Sequence, residues 1–322
     1  SPPLSPSLST KGRNENFSLL SEAVQPVRNM GIHVKRWCFL ALVASSAYLL
    51  RDSFDPATLA NARVLVTGAS TGIGEEIAYH YARAGAELVL TARREHALQE
   101  VKRRCLELGA KNVSLVVADM ASHNAREPVV AEALSALGGL DYLVLNHIGW
   151  TPFKMWDGDV NHTRWLMEVN FLSYIHLATS ALPYLAQSKG SIIVLSSLTA
   201  KNPIPYTTSY AASKFALEGF FSSLRHELIM QNNPVSITLC ILGLIDTQSA
   251  MEKIKDKITL PAYPASDAAL AVVSAGAGRQ REMYYPWYVG PLCFFRDWFP
   301  QYRDWIIQSM YHHSSQEEKE NP

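Results

Sequence analysis

The sequence predicts an α/β fold, a single doubly wound parallel sheet with helices on both faces. Three observations predict it. Short, nearly unbroken apolar runs recur from Arg63 onward, amphipathic helical patterns fill the gaps between them, and a glycine-rich turn joins the first run to the first helix. Strands buried on both faces lose the in–out alternation of a half-solvated sheet and read as continuous Val/Ile/Leu stretches. Helices between successive strands supply the crossovers that parallel pairing needs.

The elements follow in order. RVLVT (63–67) reads as the first strand, Ile73–Ala84 as a helix, ELVLTA (87–92) as the second strand and Glu95–Leu108 as the next helix. SLVVA (114–118), YLVLN (142–146), SIIVLS (191–196) and SITLCIL (236–242) repeat the strand signature, with helical patterns between them. No linker divides residues 60–285, so one Rossmann-like catalytic domain is expected over 60–290. Beyond it, residues 291–313 read as an aromatic helical segment and 314–322 as a polar tail.

Ahead of the domain, residues 1–29 are rich in Ser, Pro and Asn and read as a disordered extension. Within segment 30–52, Trp37–Leu50 is an uncharged run of 14 residues behind Lys35 and Arg36. Such a run is short for a spanning helix and suits a signal, an anchor or a packed helix. A signal or N-terminal hydrophobic anchor helix is the expectation. The basic residues upstream would hold that end in the cytosol and leave the rest facing a lumen. The expected location is the endoplasmic reticulum membrane with a lumenal catalytic domain, or secretion if the segment is cleaved.

Composition excludes several classes. Lys and Arg (29) balance Asp and Glu (29) over 322 residues, with a pI near 7.1. No nucleic-acid partner is expected from a chain without a basic excess. Cys38, Cys105, Cys240 and Cys293 are scattered without paired spacing, which argues against a disulfide scaffold or a zinc site; no metal is expected.

The chemistry begins at TGASTGIG (67–74). Gly68, Gly72 and Gly74 lie between a strand and a helix, the context in which a glycine turn lets phosphate approach the backbone and meet the helix N-terminus. Further on, SYAASKFALEGF places Tyr210 and Lys214 four residues apart, on one helix face. Ser197 ends a strand thirteen residues before Tyr210, while Ser196 should point the other way. A Tyr-x-x-x-Lys pair alone is a common coincidence. The ordered set of loop, serine and pair is not.

That set resembles the short-chain dehydrogenase/reductase family, and within it the 11β-hydroxysteroid dehydrogenase subgroup. LVLNHIG (143–149), MEVNFLSY (167–174), SKFALEGFFSSLRHE (213–227), CILGLIDT (240–247) and YYPW (284–287) carry the subgroup likeness, which spans roughly residues 30–310. The resemblance implies a catalytic set of Tyr210, Lys214, Ser197 and Asn170, with Ser197 and Tyr210 on the substrate oxygen and Asn170 holding a relay water. It implies cofactor contacts from Gly68, Ser70, Thr71, Gly72, Ile73, Gly74, Arg93, Arg94, Asp119, Met120, Asn146, His147, Ile148, Tyr210, Lys214, Ile245 and Thr247. Two departures from the wider family, Asn146-His147-Ile148-Gly149 for Asn-Asn-Ala-Gly and Leu242-Gly243 for Pro-Gly, both fit the subgroup. Thr71 stands where many NADP-preferring relatives have a basic residue.

The residues suit alcohol–ketone chemistry. Hydride leaves carbon, a proton leaves oxygen, and a base must sit within hydrogen-bond reach of that oxygen. A free tyrosine is too weak, and a lysine charge one helical turn away would favour its phenolate by about 2–3 pK units before desolvation opposes it. For the cofactor, the second strand ends Leu90-Thr91-Ala92-Arg93-Arg94. It lacks the carboxylate that would bind a 2′-hydroxyl and repel a 2′-phosphate, so NADP(H) is expected; the resemblance implies Arg93 as the stronger phosphate ligand, with Arg94 the weaker candidate that solvation alone could explain. A substrate lid is expected over Ile245–Lys257. The aromatic stretch from Tyr284 onward holds three of the seven tryptophans and suits a packed helix, a dimer contact, a pocket wall or a membrane surface. Expected partners are a small apolar substrate such as a hydroxysteroid or other lipid carbonyl, the membrane through the N-terminal segment, and a second copy in a homodimer. The competing reading is a catalytically silent NADP(H)-binding sensor or interaction protein, which would normally show a damaged Ser, Tyr or Lys.

Overall fold

The computed structural model describes residues 54–254 and 261–311, with Val34 and Arg36. Residues 1–29, the Trp37–Leu50 run, the end of the lid and the tail at 314–322 lie outside the described residues. The chain divides into two compact units, Ser1–Ser53 and Phe54–Pro322, and the fold below is that of the second.

Seven strands form the main sheet: β1 (Arg63–Thr67), β2 (Glu87–Ala92), β3 (Asn112–Val117), β4 (Tyr142–Leu145), β5 (Ser191–Leu195), β6 (Ser236–Leu242) and, after a two-residue pair β7 (Ile245–Asp246) and β8 (Tyr263–Pro264), β9 (Glu282–Tyr285). Their order is β3-β2-β1-β4-β5-β6-β9, and every pairing is parallel. The chain winds outward from β1 in one direction, then returns to β4 and winds the other way. The switch point lies between β1 and β4, and ligands bind at the carboxyl ends of strands there.

Alternate residues of each central strand serve opposite cores. Val64 and Val66 of β1, Ile193 and Leu195 of β5, and Cys240 and Leu242 of β6 pack beneath the Gly72–Arg83, Glu95–Leu108 and Ala265–Ala277 helices. Leu65, Ile192, Val194, Leu239 and Ile241 face the Val129–Leu137, Ser173–Ser188 and Thr208–Met230 helices. Each fully buried aliphatic side chain contributes about 1.5–3 kcal/mol, so both layers are needed to hold the sheet flat between them. Packing is tight at Gly276, where an added Cβ would lie 2.1 Å from Ile193 Cδ1.

The doubly wound sheet matches the expected class, with local differences. β4 and β5 stop one residue short of the expected ends, leaving Asn146 and Ser196 just past the ladder. β3 starts two residues before the expected Ser114, at Asn112. β9 was not expected. Its sequence, EMYY, is short and opens on a charge, and it earns its place by pairing with β6 at the sheet edge. Among the described residues no helix is long and apolar enough to cross a membrane.

Candidate active site

The turn after β1 is built around glycine for spatial reasons. Gly68 and Gly72 both adopt φ +64°, a region that disfavours side chains. A Cβ at Gly74 would stand 2.3 Å from Gly68 O, and one at Gly68 would stand 2.7 Å from His147 Cα. Asn146 clamps the turn by donating Nδ2 to Thr67 O (3.1 Å) and Gly68 O (3.0 Å). The Gly72–Arg83 helix then starts with no side-chain cap from Thr71. Its first amides therefore remain available to an anion, which the helix dipole favours.

Ser70, Thr71, Gly72 and Ile73 line a cavity of about 1480 Å³, and so do Arg93, Arg94, Asp119, Met120, Asn146, His147, Ile148, Ile245 and Thr247. Thr247 sits over the loop, its Cγ2 3.1 Å from where a Gly72 Cβ would lie. Gly74 packs behind the turn rather than on the cavity. Arg94 is exposed but not isolated: it donates to Thr71 Oγ1 at 3.0 Å and approaches Ser70 Oγ at 3.5 Å. Arg93 is exposed and makes no hydrogen bond or ion pair with the described residues. The glycine cradle, the uncapped helix and the two guanidinium groups fit a dinucleotide carrying an extra phosphate.

The same cavity reaches Ser197, Tyr210 and Lys214. Ser197 stands two residues past β5, where its Oγ accepts from Thr199 N (3.2 Å), and it lines the cavity together with Tyr210. Ser196 Oγ is buried with no hydrogen-bond partner among the described residues, although Ser196 also borders the cavity. Tyr210 is the third residue of the Thr208–Met230 helix, and Lys214 follows one turn on. Lys214 Nζ donates to Leu195 O at 2.8 Å and lies 5.8 Å from the Tyr210 ring centroid and 5.5 Å from that of Tyr174.

The electrostatics differ from the simple expectation. Burial raises the Tyr210 phenol above its usual range, and the Ser197 hydrogen bond only partly opposes this. Burial also draws Lys214 down to about 7, against the attraction of Glu218. Desolvation dominates at both groups and biases each toward its neutral form.

Asn170 lies in a single π turn, Glu168–Leu172, a distortion often found at functional sites. It is fully buried and does not line the cavity: Oδ1 accepts from Gly149 N (2.7 Å) and Nδ2 donates to Ser213 Oγ (3.2 Å). Its side chain thus ties the loop after β4 to the helix of Tyr210. His147 ties further elements together. Its Nδ1 hydrogen-bonds Thr67 Oγ1 (2.8 Å) and its Nε2 hydrogen-bonds Ser173 Oγ (2.6 Å), while its carbonyl accepts from Tyr174 Oη (2.7 Å).

Sequence reasoning allowed the C-terminal aromatic stretch a pocket-wall role among others but named no residues for the far wall. Phe153, Tyr206 and Tyr311 cluster, with ring centroids 5.0 Å (Phe153–Tyr206), 6.4 Å (Phe153–Tyr311) and 6.2 Å (Tyr206–Tyr311) apart; Phe153 and Tyr311 line the cavity and the buried Tyr206 packs behind them. Phe299, Tyr302, Ile306 and Met310, on and beside the Pro300–Ser309 helix, join them. The density of aromatics in that segment was the available signal. The Gln248–Ile254 helix, part of the expected lid, contributes Gln248, Lys253 and Ile254.

A Rossmann-type sheet whose glycine loop and Ser–Tyr–Lys set share one cavity defines an oxidoreductase acting on CH–OH groups. The short chain dehydrogenase family profile matches residues 62–258, and the chain belongs to that family. It is 92% identical over 286 residues to the Xenopus tropicalis hydroxysteroid 11-beta-dehydrogenase 1-like protein, covering 89% of this chain and 100% of that one. Among solved structures it is similar to a Burkholderia cenocepacia short chain dehydrogenase in complex with NADP (27% identity, TM-score 0.60, 70% of this chain and 96% of that one). It is also similar to a 7α-hydroxysteroid dehydrogenase complexed with NADH and 7-oxo glycochenodeoxycholic acid (25% identity, TM-score 0.64, 72% and 96% covered).

Proposed function

We propose that the protein interconverts a secondary alcohol and a ketone on an apolar, steroid-sized substrate, using NADP(H). The observation that carries this reading is the convergence of Ser197, Tyr210 and the buried Lys214 on one cavity with the glycine loop. Gly72, the amides that open its helix, Arg93 and Arg94 would hold the cofactor, which when bound supplies or accepts the hydride. Ser197 and Tyr210 orient the substrate oxygen. In the reducing direction Tyr210 gives its phenolic proton to that oxygen as it gains charge, and Ser197 donates a hydrogen bond to it. In the oxidising direction Tyr210, as phenolate, takes the hydroxyl proton. Raising the phenol by burial keeps the proton on Tyr210 and suits it as the donor for reduction.

The hydroxysteroid class is supported by the names of the similar proteins and by an apolar wall that includes Phe153, Phe299 and Tyr311. Membrane attachment through the N-terminal segment, a lumenal catalytic domain and a homodimer complete the proposal. Exposed side chains at Asn112 and Asn161, each opening an Asn-x-Ser/Thr sequon, would accept glycan in that compartment. The test is turnover of an oxosteroid panel by purified protein with NADPH and NADH. Alcohol product with NADPH is expected. Cofactor binding with no product from any ketone would leave the silent NADP(H)-binding reading in its place.

A further inference from the structure

The face that carries Tyr210 and Lys214 continues one turn further to Glu218, so three ionisable side chains stand at four-residue steps along the Thr208–Met230 helix. Glu218 is buried, 7% exposed, and an ion in such a place is costly unless paired. Lys201 pairs with it, Nζ lying 2.9 Å from Glu218 Oε2. Lys201 is also shared with Glu282 on β9, at 3.5 Å, so one ammonium serves two carboxylates and does not fully neutralise Glu218. Tyr284 Oη donates to Glu282, and Arg296 Nη1 donates to Lys201 O at 3.0 Å. The array runs from the interior of the helix to the sheet edge.

Lys214 faces a different set. Its Nζ donates to a neutral carbonyl, Leu195 O on β5, and the rings of Tyr174 and Tyr210 flank it. His147, on the loop after β4, is held neutral by burial and by the lysine's own charge. Around Glu218 the other titratable groups are Lys201, Arg225, Cys240, Glu282, Tyr284 and Cys293. Glu218 is the group whose charge favours the protonated lysine, and burial works against it.

We propose that Glu218 is a positioning residue for the reaction: the buried counter-charge that keeps Lys214 an ammonium ion beneath Tyr210, itself clamped by Lys201. This rests on the roles given above to Tyr210 and Lys214. An ammonium at 214 can support a developing phenolate and can donate to a bound sugar hydroxyl, whereas a neutral amine loses the first ability. Glu218 therefore governs catalysis without touching substrate.

The experiment is a pH titration of ¹³C-lysine-labelled protein by NMR, the Lys214 signal being assigned by its loss in Lys214→Met, run beside the pH profile of kcat/KM for carbonyl reduction. In Glu218→Gln the Lys214 midpoint falls by about one pH unit, a tenfold loss of proton affinity. The alkaline limb of kcat/KM moves down with it. Glu218→Asp, which keeps the charge but withdraws it by a methylene, gives a smaller fall in both. An unmoved Lys214 midpoint in Glu218→Gln overturns the proposal whatever happens to stability. Where Glu218→Gln does not fold, an unmoved midpoint in Glu218→Asp does the same. The titration needs no substrate, so a protein whose Lys214 responds as expected but which reduces no ketone would refute the proposed activity and not this role.

Discussion

The Arg94 guanidinium donates to Thr71 Oγ1 across 3.0 Å, joining the residue after β2 to the glycine loop. Thr71 is the position whose neutral side chain had counted against a 2′-phosphate. Arg94 brings a permanent positive charge to that spot, with Arg93 exposed beside it on the same cavity. The fold supplies from the neighbouring strand what the loop itself lacks.

Arg93→Ala and Arg94→Ala should each weaken NADP(H) binding by about 1.5–3 kcal/mol, the scale of a hydrogen bond to a charged group. NAD(H) affinity should barely change. Side-by-side titration of each variant with both cofactors checks this, and equal losses for the two would remove the arginines from phosphate recognition.

A second prediction concerns acid stability. Burial holds the His147 pKa down to about 3, with Lys214 and Arg126 pushing the same way. An unfolded histidine titrates near 6.5, so between these values the unfolded chain binds more protons than the folded one. The stabilisation is whole above about pH 6.5 and declines by up to about 1.4 kcal/mol per pH unit below it. His147→Asn keeps a neutral hydrogen-bonding group and should flatten this slope. Urea unfolding at about pH 7 and about pH 5 measures it, and identical pH dependence in variant and wild type would contradict the assignment.

Much of this was legible in the sequence because the signals were local. Unbroken apolar runs such as RVLVT and SITLCIL reveal doubly covered strands, and Tyr210 and Lys214 share a face by helical period alone. What stayed hidden depends on distant parts of the chain meeting. β9 is a strand only because β6 offers it an edge. The tie between Arg94 and Thr71 spans 23 positions and has no local signal. His147 has no local signature, since its partners Thr67 and Ser173 lie 80 and 26 residues away. Asn170 read as a cavity residue, yet the π turn places its amide in the framework.

The aromatic wall gives a third prediction. Tyr311→Ala removes one ring from the Phe153–Tyr206–Tyr311 cluster and should raise KM for a steroid-sized ketone by about tenfold, a loss near 1.4 kcal/mol. Turnover of a small ketone and the affinity for NADPH should stay within about twofold, since Tyr311 is assigned no cofactor contact. A uniform loss across small and large substrates would mean that the ring supports the fold and does not select substrate.

Deleting residues 1–51 should release the protein from membranes and leave the fold intact, because the helical turn at Pro56–Leu59 and strand β1 begin later. Flotation and thermal melting of the truncated protein check both halves. Persistent membrane binding would move the attachment to the exposed aromatics of the C-terminal segment, including Trp287, Trp298 and Trp305. Loss of folding would instead make Trp37–Leu50 a packed part of the domain.

The most direct test of the catalytic reading is Tyr210→Phe, with NADPH binding and oxosteroid reduction measured on the same preparation. The substitution removes one oxygen and leaves the ring, the Lys214–Leu195 hydrogen bond and the glycine loop in place. Turnover should fall by about 10²–10⁴-fold, the range of general acid–base catalysis, with NADPH affinity near that of wild type. A variant that retains more than about a hundredth of the activity while binding NADPH normally would contradict the role of Tyr210 as proton donor.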